Sequence, residues 1–372
     1  MIGTIILFLA VLSVLVLVHE IGHFITARKF GCKVDEFGVG FPPKAMTITK
    51  RKGVEYTINW IPLGGFVKIK GESGENADEH DSFASKPAWQ RFIILSAGVI
   101  MNFVLAAVLL SIGFMIGLPS AIDENLPAGA RTYDEAIRIV TVVEGSPADE
   151  AGLLMGDTIA SVNDRVFTNA DEAREFIAAE AGEVNLMIER AGEFQELTIA
   201  PEYLEEQGYT GIGVGFMTTA FVSFPVHLAV WHGIETTVIF TREVFLALVD
   251  IVKNLVTGHG LAVDISGPVG IAVMTGEFAR LGLVYLIQFT AILSINLAII
   301  NGLPFPALDG GRILFLAIEK VRGNKPVSER IEALVHNVGF ILLMGVVVLI
   351  TYRDFVRFGD QIWGTVKGFF GV

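Results

Sequence analysis

The chain alternates long stretches with no charge and short stretches in which the charges are bunched. Residues 1–18 carry none, and the apolar run continues to Ala27 with only His19, Glu20 and His23 interrupting it. Further uncharged runs cover residues 92–122 and 281–308, and a fourth covers residues 333–352, broken only by His336. A helix needs about 20 apolar residues to cross the hydrocarbon core, so each run predicts one spanning helix. Residues 224–256 are also apolar-rich, but Arg242, Glu243, Asp250 and Lys253 interrupt them. That pattern predicts a pair of amphipathic helices lying in the interface. Residues 353–372 are assigned as an amphipathic tail.

Strand patterns fall in two places. Residues 56–59 and 66–69 are strand-like and flank a Pro/Gly turn at Pro62-Leu63-Gly64-Gly65, which predicts a β-hairpin over about residues 54–70. Between spans two and three, residues 138–143 read as a strand by their β-branched content. Two more strands are expected at 184–190 and 194–200, around Gly192. A helix is expected over 169–181, with Asn169 as its cap. This order of elements, with the phrase GSPADEAGLLMGDTI (residues 145–159), resembles a PDZ domain of the bacterial type, placed over residues 124–218. The segment Gly211-Ile212-Gly213-Val214 is either a loop that presents backbone N–H groups to a peptide carboxylate or a glycine-rich edge strand.

Composition supports the membrane reading. The chain is 52% hydrophobic and only 18% charged, against about 25% charged residues in ordinary soluble domains. Its net charge of −13 argues against a nucleic-acid partner, which would require a basic face. With one cysteine, Cys32, neither an intrachain disulfide nor a cysteine-based metal site can form. Basic residues set the expected orientation. The loop between spans one and two holds eleven Lys/Arg, while the far longer stretch between spans two and three holds eight, with none between Arg91 and Arg131. The first and third loops are therefore expected on the cytoplasmic side, and the region of about 120–280 outside.

His19-Glu20-Ile21-Gly22-His23 matches H-E-x-x-H. On a helix, positions i and i+4 share a face, so both imidazoles can reach one Zn²⁺, with Glu20 beside them as general base. Ionisable groups inside a span cost about 2.5–3.5 kcal/mol each on insertion scales, so three in five positions imply a function. The competing reading is a polar cluster packing against another helix, or a proton relay. A catalytic zinc takes three protein ligands and keeps one open position. The remaining ligand is expected from Asp309, in Asn301-Gly302-Leu303-Pro304-Phe305-Pro306-Ala307-Leu308-Asp309-Gly310-Gly311. Two prolines break the helix there, and irregular backbone at membrane depth survives only where it is buried in protein or lines a cavity. The alternative is a helix stop with Asp309 capping the next helix. By the predicted orientation, His19, His23 and Asp309 all fall toward the cytoplasmic face.

These residues resemble the site-2 protease family of intramembrane zinc metalloproteases, in its bacterial single-PDZ form. The resemblance covers nearly the whole chain. It implies a polytopic α-helical membrane protein of four transmembrane helices, with a membrane-associated β-hairpin and one extracytoplasmic α/β PDZ domain. The protease core is expected in two parts, residues 1–117 and 281–352. The resemblance also implies one zinc held by His19, His23 and Asp309, with Glu20 as the base. Gly64, Gly65 and Phe66 match the family's substrate-pairing hairpin; the alternative is a cytoplasmic surface hairpin. Gly98-Val99-Ile100-Met101-Asn102 resembles the family's G-x-x-x-N motif, which makes Asn102 a candidate for oxyanion or substrate contact; Asn301 is a comparable candidate, and the alternative for either is an ordinary helix–helix hydrogen bond. Expected partners are single-span membrane proteins (anti-sigma factors, signal-peptide remnants), the lipid bilayer, and a peptide C-terminus at the PDZ domain. The expected location is the bacterial cytoplasmic membrane. Two other functions compete with this one: a catalytically silent PDZ-bearing scaffold, and a zinc or proton transporter.

Overall fold

The apolar runs form helices and the β-branched segments form strands. A computed structural model of the chain describes residues 2–359 other than 73, 123–126, 181, 191, 205–208, 259–265, 324, 326 and 358. In chain order the elements are α1 (Ile2–Lys29), β1 (Val34–Arg51), β2 (Val54–Ile69), α2 (Ala88–Ile116), β3 (Leu118–Ala121) and β4 (Arg131–Val142). Next come α3 (Pro147–Glu150), β5 (Thr158–Val162), α4 (Ala170–Ala179), β6 (Val184–Arg190), β7 (Glu193–Ile199), β8 (Glu202–Leu204), β9 (Tyr209–Gly211) and β10 (Val214–Ser223). The remaining helices are α5 (Val226–Thr257), α6 (Pro268–Leu281), α7 (Leu283–Gly302), α8 (Asp309–Val321) and α9 (Glu329–Arg357). The chain divides into two compact units, residues 1–111 with 232–372, and residues 112–231.

In the first unit, four helices are long and apolar enough to cross a membrane: Gly3–Lys29, Ala88–Ile116, Leu283–Gly302 and Arg330–Arg357. They match the four expected spans. Span two stops earlier than its uncharged run, because Gly117 takes a φ of 122°, outside the helical region, and the chain turns into β3. Where α1 meets α2, a Cβ on Gly22 would lie 2.4 Å from the Ala97 carbonyl oxygen, so the two backbones touch. The amphipathic pair expected over residues 224–256 is instead one continuous helix, α5, of 32 residues. Its one internal glycine is no hinge. Gly233 gives α5 a close approach to α2, where an added Cβ would lie 2.2 Å from Ser111 Oγ. Helix α6 was not expected. Its N-terminal N–H groups at Gly267 and Gly270 donate to buried Asp354 of α9, at 3.2 and 2.8 Å, which satisfies donors that a helix start leaves open. Of the tail expected over 353–372, residues 353–357 continue α9, and those from 360 on lie outside the described residues.

The hairpin also differs from expectation. Strands 56–59 and 66–69 do not pair with each other around the Pro/Gly turn. The segment beginning at Val34 lies between them, with Phe37 paired to Tyr56 on one side and Val67 on the other. The tight turn is instead at Lys52-Gly53, both at positive φ (50° and 79°), between the paired Arg51 and Val54, as a two-residue I′ connection requires. Arg91 of α2 makes a bidentate pair with Glu319 of α8 at 3.1 and 2.6 Å, and Arg312 of α8 pairs with Glu72 after the hairpin. These pairs tie hairpin, α2 and α8 together.

The second unit is a six-stranded antiparallel sheet in the order β3-β10-β4-β5-β6-β7. Its core includes Ile139, Leu153, Val162, Ile177, Leu186, Ile188 and Ile212. Asn169 caps α4, accepting from Asp171 N–H at 2.7 Å, as expected. The turns of residues 145–157 rest on Gly145, Gly152 and Gly156 at positive φ. Buried Asp157 closes them, with a bidentate pair to Arg190 at 2.7 and 2.6 Å. The expected domain over 124–218 falls inside this unit.

Candidate active site

Helix α1 places His19 and His23 one turn apart, with ring centroids 4.8 Å from each other. Both are buried. Asp309 stands in the first turn of α8, reached through a six-residue loop, residues 303–308, that follows the end of α7 at Gly302. The prolines therefore break the helix where the sequence predicts. Asp309 does start a helix, but Leu308 is the N-cap and no side chain caps it. The Asp309 carboxylate turns instead to the imidazoles. Its Oδ2 lies 2.9 Å from His19 Nε2 and 3.3 Å from His23 Nε2, and the two Nε2 atoms are 3.1 Å apart. Among the described residues this is the cluster of three or more His, Cys, Asp or Glu side chains able to hold one ion, with donor atoms all within 4.8 Å.

Local backbone contacts hold that geometry. A Cβ on Gly310 would lie 2.1 Å from the Leu303 carbonyl oxygen, and one on Gly311 would lie 2.3 Å from that of Phe305. Only glycine lets α8 begin directly against the loop. On the other side, a Cβ on Gly98 of α2 would lie 2.4 Å from His23 Nε2 and 2.7 Å from His19 Nε2. The space next to both imidazole nitrogens exists because that side chain is missing. His23 Nδ1 donates to the Ile94 carbonyl at 2.8 Å, which leaves its Nε2 lone pair free for a cation. Two imidazole nitrogens and one carboxylate oxygen suit zinc, so the donor set fits that metal.

Glu20, about 100° around the helix from His19, reaches the hairpin. Its Oε2 accepts from Val67 N–H at 3.0 Å, a charge-assisted bond of about 1.5–3 kcal/mol. His19, Glu20, Asp309, Asn301 and Phe41 share one cavity of about 300 Å³. A cluster able to hold a metal, a carboxylate beside it and an open cavity over both are the parts of a hydrolytic centre.

The model of Peptidase family M50 matches residues 7–346. The chain belongs to peptidase family M50. Zinc metalloprotease RasP of Geobacillus kaustophilus is 32% identical, over 95% of this chain and 98% of the relative. Regulator of sigma-W protease RasP of Bacillus subtilis is also 32% identical, over 96% and 99%. Among solved structures, the PDZ domain of the SdrC-like protein of Listeria innocua is 24% identical with a TM-score of 0.20, covering 22% of this chain and 92% of its own. As an M50 member, the chain is an intramembrane zinc metallopeptidase of the site-2 protease type.

The other predicted residues of this M50 peptidase fall in different places. Asn301 lines the cavity with His19 and Glu20. Asn102 is fully buried, its amide nitrogen 3.3 Å from His19 Nδ1. Gly64 and Gly65 press against α1, where added Cβ atoms would lie 2.9 Å from Val16 Cγ1 and 2.8 Å from Leu17 Cδ2. The 65–69 edge, which includes Phe66, thus runs beside the H-E-x-x-H turn. In the second unit, the carbonyls of Gly213 and Ile212 accept from Val143 N–H at 2.8 Å and Ala148 N–H at 2.9 Å. The 211–214 segment thus links the small β8-β9 sheet to the six-stranded one, with Gly211 ending β9 and Val214 opening β10.

His336 enters the M50 site without having been predicted there. Its Nδ1 accepts from Ala307 N–H at 2.8 Å, where Ala307 holds a φ of 78°, two residues before Asp309. One turn further along α9, a Cβ on Gly339 would lie 2.4 Å from Pro306 Cβ. The one sequence signal was an ionisable residue in an otherwise uncharged span. Removing the acceptor strands a donor, which costs about 1–3 kcal/mol. His336→Ala is expected to lower the unfolding free energy by that amount in denaturant melts. His336→Asn, whose amide oxygen stands near the Nδ1 position, is expected to recover most of it; equal losses in both variants would remove the hydrogen bond as the cause.

Proposed function

We propose that His19, His23 and Asp309 hold one Zn²⁺ and that Glu20 is the general base for peptide hydrolysis within the bilayer. The observation that carries this is the convergence of three ligand atoms, all within 4.8 Å of one another, with the two imidazole nitrogens beside the space that Gly98 leaves open. When bound, the zinc supplies Lewis-acid polarisation of the scissile carbonyl and lowers the pKa of a water toward ~7. The water oxygen attacks the carbonyl carbon. Glu20 takes the water's proton, and the C–N bond breaks as Glu20 returns that proton to the leaving amine. Val67 N–H holds one Glu20 oxygen, so the other carries the proton. Asn301, at the cavity wall, donates to the developing oxyanion.

The substrates in this reading are single-span membrane proteins. The Bacillus relative is by name a regulator of sigma-W protease, which favours membrane-bound anti-sigma factors, and the family resemblance adds signal-peptide remnants. By the family resemblance, an extended substrate segment pairs with the hairpin that carries Gly64, Gly65 and Phe66. The charge distribution supports an active site toward the cytoplasmic face, with the second unit outside as a PDZ domain that gates access. Purified protein in liposomes is expected to cut a single-span model substrate, to stop with a zinc chelator and to resume when zinc is restored. Cutting that persists after zinc is stripped would overturn the reading.

A further inference from the structure

The two zinc-binding histidines differ in what stands behind them. A histidine that ligates through Nε2 must carry its ring proton on Nδ1, and that proton needs an acceptor. His23 has one, the Ile94 carbonyl of α2 at 2.8 Å. Behind His19, at 3.3 Å, stands the Asn102 amide nitrogen, a donor. The other end of that amide, Oδ1, is buried without a hydrogen-bond partner among the described residues. Ser294 of α7 donates to the Asn102 backbone carbonyl at 2.8 Å, which anchors α2 at this position.

As it stands, the arrangement suits the tautomer in which His19 Nε2–H donates to Asp309 at 2.9 Å and Nδ1 accepts from the amide. Once Nε2 gives its lone pair to a cation, the proton must sit on Nδ1, and two donors would face each other. A half-turn of the Asn102 amide removes the conflict. It exchanges two groups of nearly equal size and places the unpartnered oxygen against Nδ1–H. Ile94, Gly98 and Asn102 are spaced by four residues along α2, so one helix would supply both acceptors and the clearance between them.

We infer that Asn102 is a positioning residue that accepts the His19 Nδ1 proton and so selects the tautomer that presents Nε2 to the zinc. This assigns the buried amide to the metal's ligand and not to substrate, and it rests on the zinc reading above. Zinc affinity is measured by competition with a chelator of known strength, with His23→Ala as the control. Asn102→Ala is expected to weaken zinc about 10–100-fold, the usual effect of losing a ligand's hydrogen-bond partner. Asn102→Asp keeps an oxygen at the position and is expected to bind far closer to wild type. Wild-type affinity in Asn102→Ala, or equal loss in both variants with unchanged melting, overturns the inference. Failure of the wild type to bind zinc would overturn the zinc reading instead. If the variants do not fold, ¹⁵N-histidine NMR of zinc-loaded wild type decides: a protonated His19 Nδ1 supports the inference, and a protonated Nε2 sinks it.

Discussion

Glu20→Gln is expected to slow cleavage of a single-span substrate by about 10²–10⁴-fold, the usual contribution of a general base, while zinc stays bound. Glutamine matches glutamate in shape, and its amide oxygen can still accept from Val67 N–H, as Glu20 Oε2 does at 3.0 Å. It cannot take a proton from water. Because the three proposed ligands are other residues, metal content is expected to match wild type. The informative pair of measurements is zinc per chain and single-turnover rate on the same preparation. A zinc-loaded Glu20→Gln that cuts at near the wild-type rate would remove Glu20 from the mechanism. A slow variant that has also lost zinc would show that Glu20 acts on the metal and not on the proton.

Asp309→Ala is the second large effect. Asp309 is the single carboxylate of the cluster, so it alone brings formal charge to balance a divalent cation among the ligands. Two neutral imidazoles would remain, against an open position meant for water. Loss of a ligand's hydrogen-bond partner weakens zinc about 10–100-fold, and loss of the ligand itself is expected to exceed that range. Chelator competition and metal analysis check this. Full zinc occupancy at wild-type affinity in Asp309→Ala would strike Asp309 from the ligand set. Asp309→Asn refines the result, since it keeps a ligating oxygen and removes the charge.

The features legible in the sequence are those carried by short-range pattern. H-E-x-x-H needs only one helical turn to bring His19 and His23 together, and the uncharged runs mark the spans by length alone. Asp309 was legible because Pro304 and Pro306 announce a break that a membrane tolerates only around a site. What stayed hidden depends on contacts between distant segments. The segment from Val34 slots between two strands that looked like a hairpin of their own, and no local pattern reports a third strand entering. Lys52-Gly53 is a weaker turn signal than Pro62-Leu63-Gly64-Gly65, yet it is where the chain turns tightly. His336 gave no sign of its role because its partner is a backbone N–H 29 residues away. Helix α5 was divided on its charges, although those charges do not break a helix.

The contact between α1 and α2 has a mechanical consequence. Backbone meets backbone at Gly22, one residue before His23, and Gly98 places the same stretch of α2 beside both imidazoles. Ile94 and Asn102 add contacts on either side of that point, to His23 and His19, so the two helices are keyed together along the turn that carries the proposed ligands. A side chain at either glycine would act as a wedge, pushing α2 off both imidazoles at once.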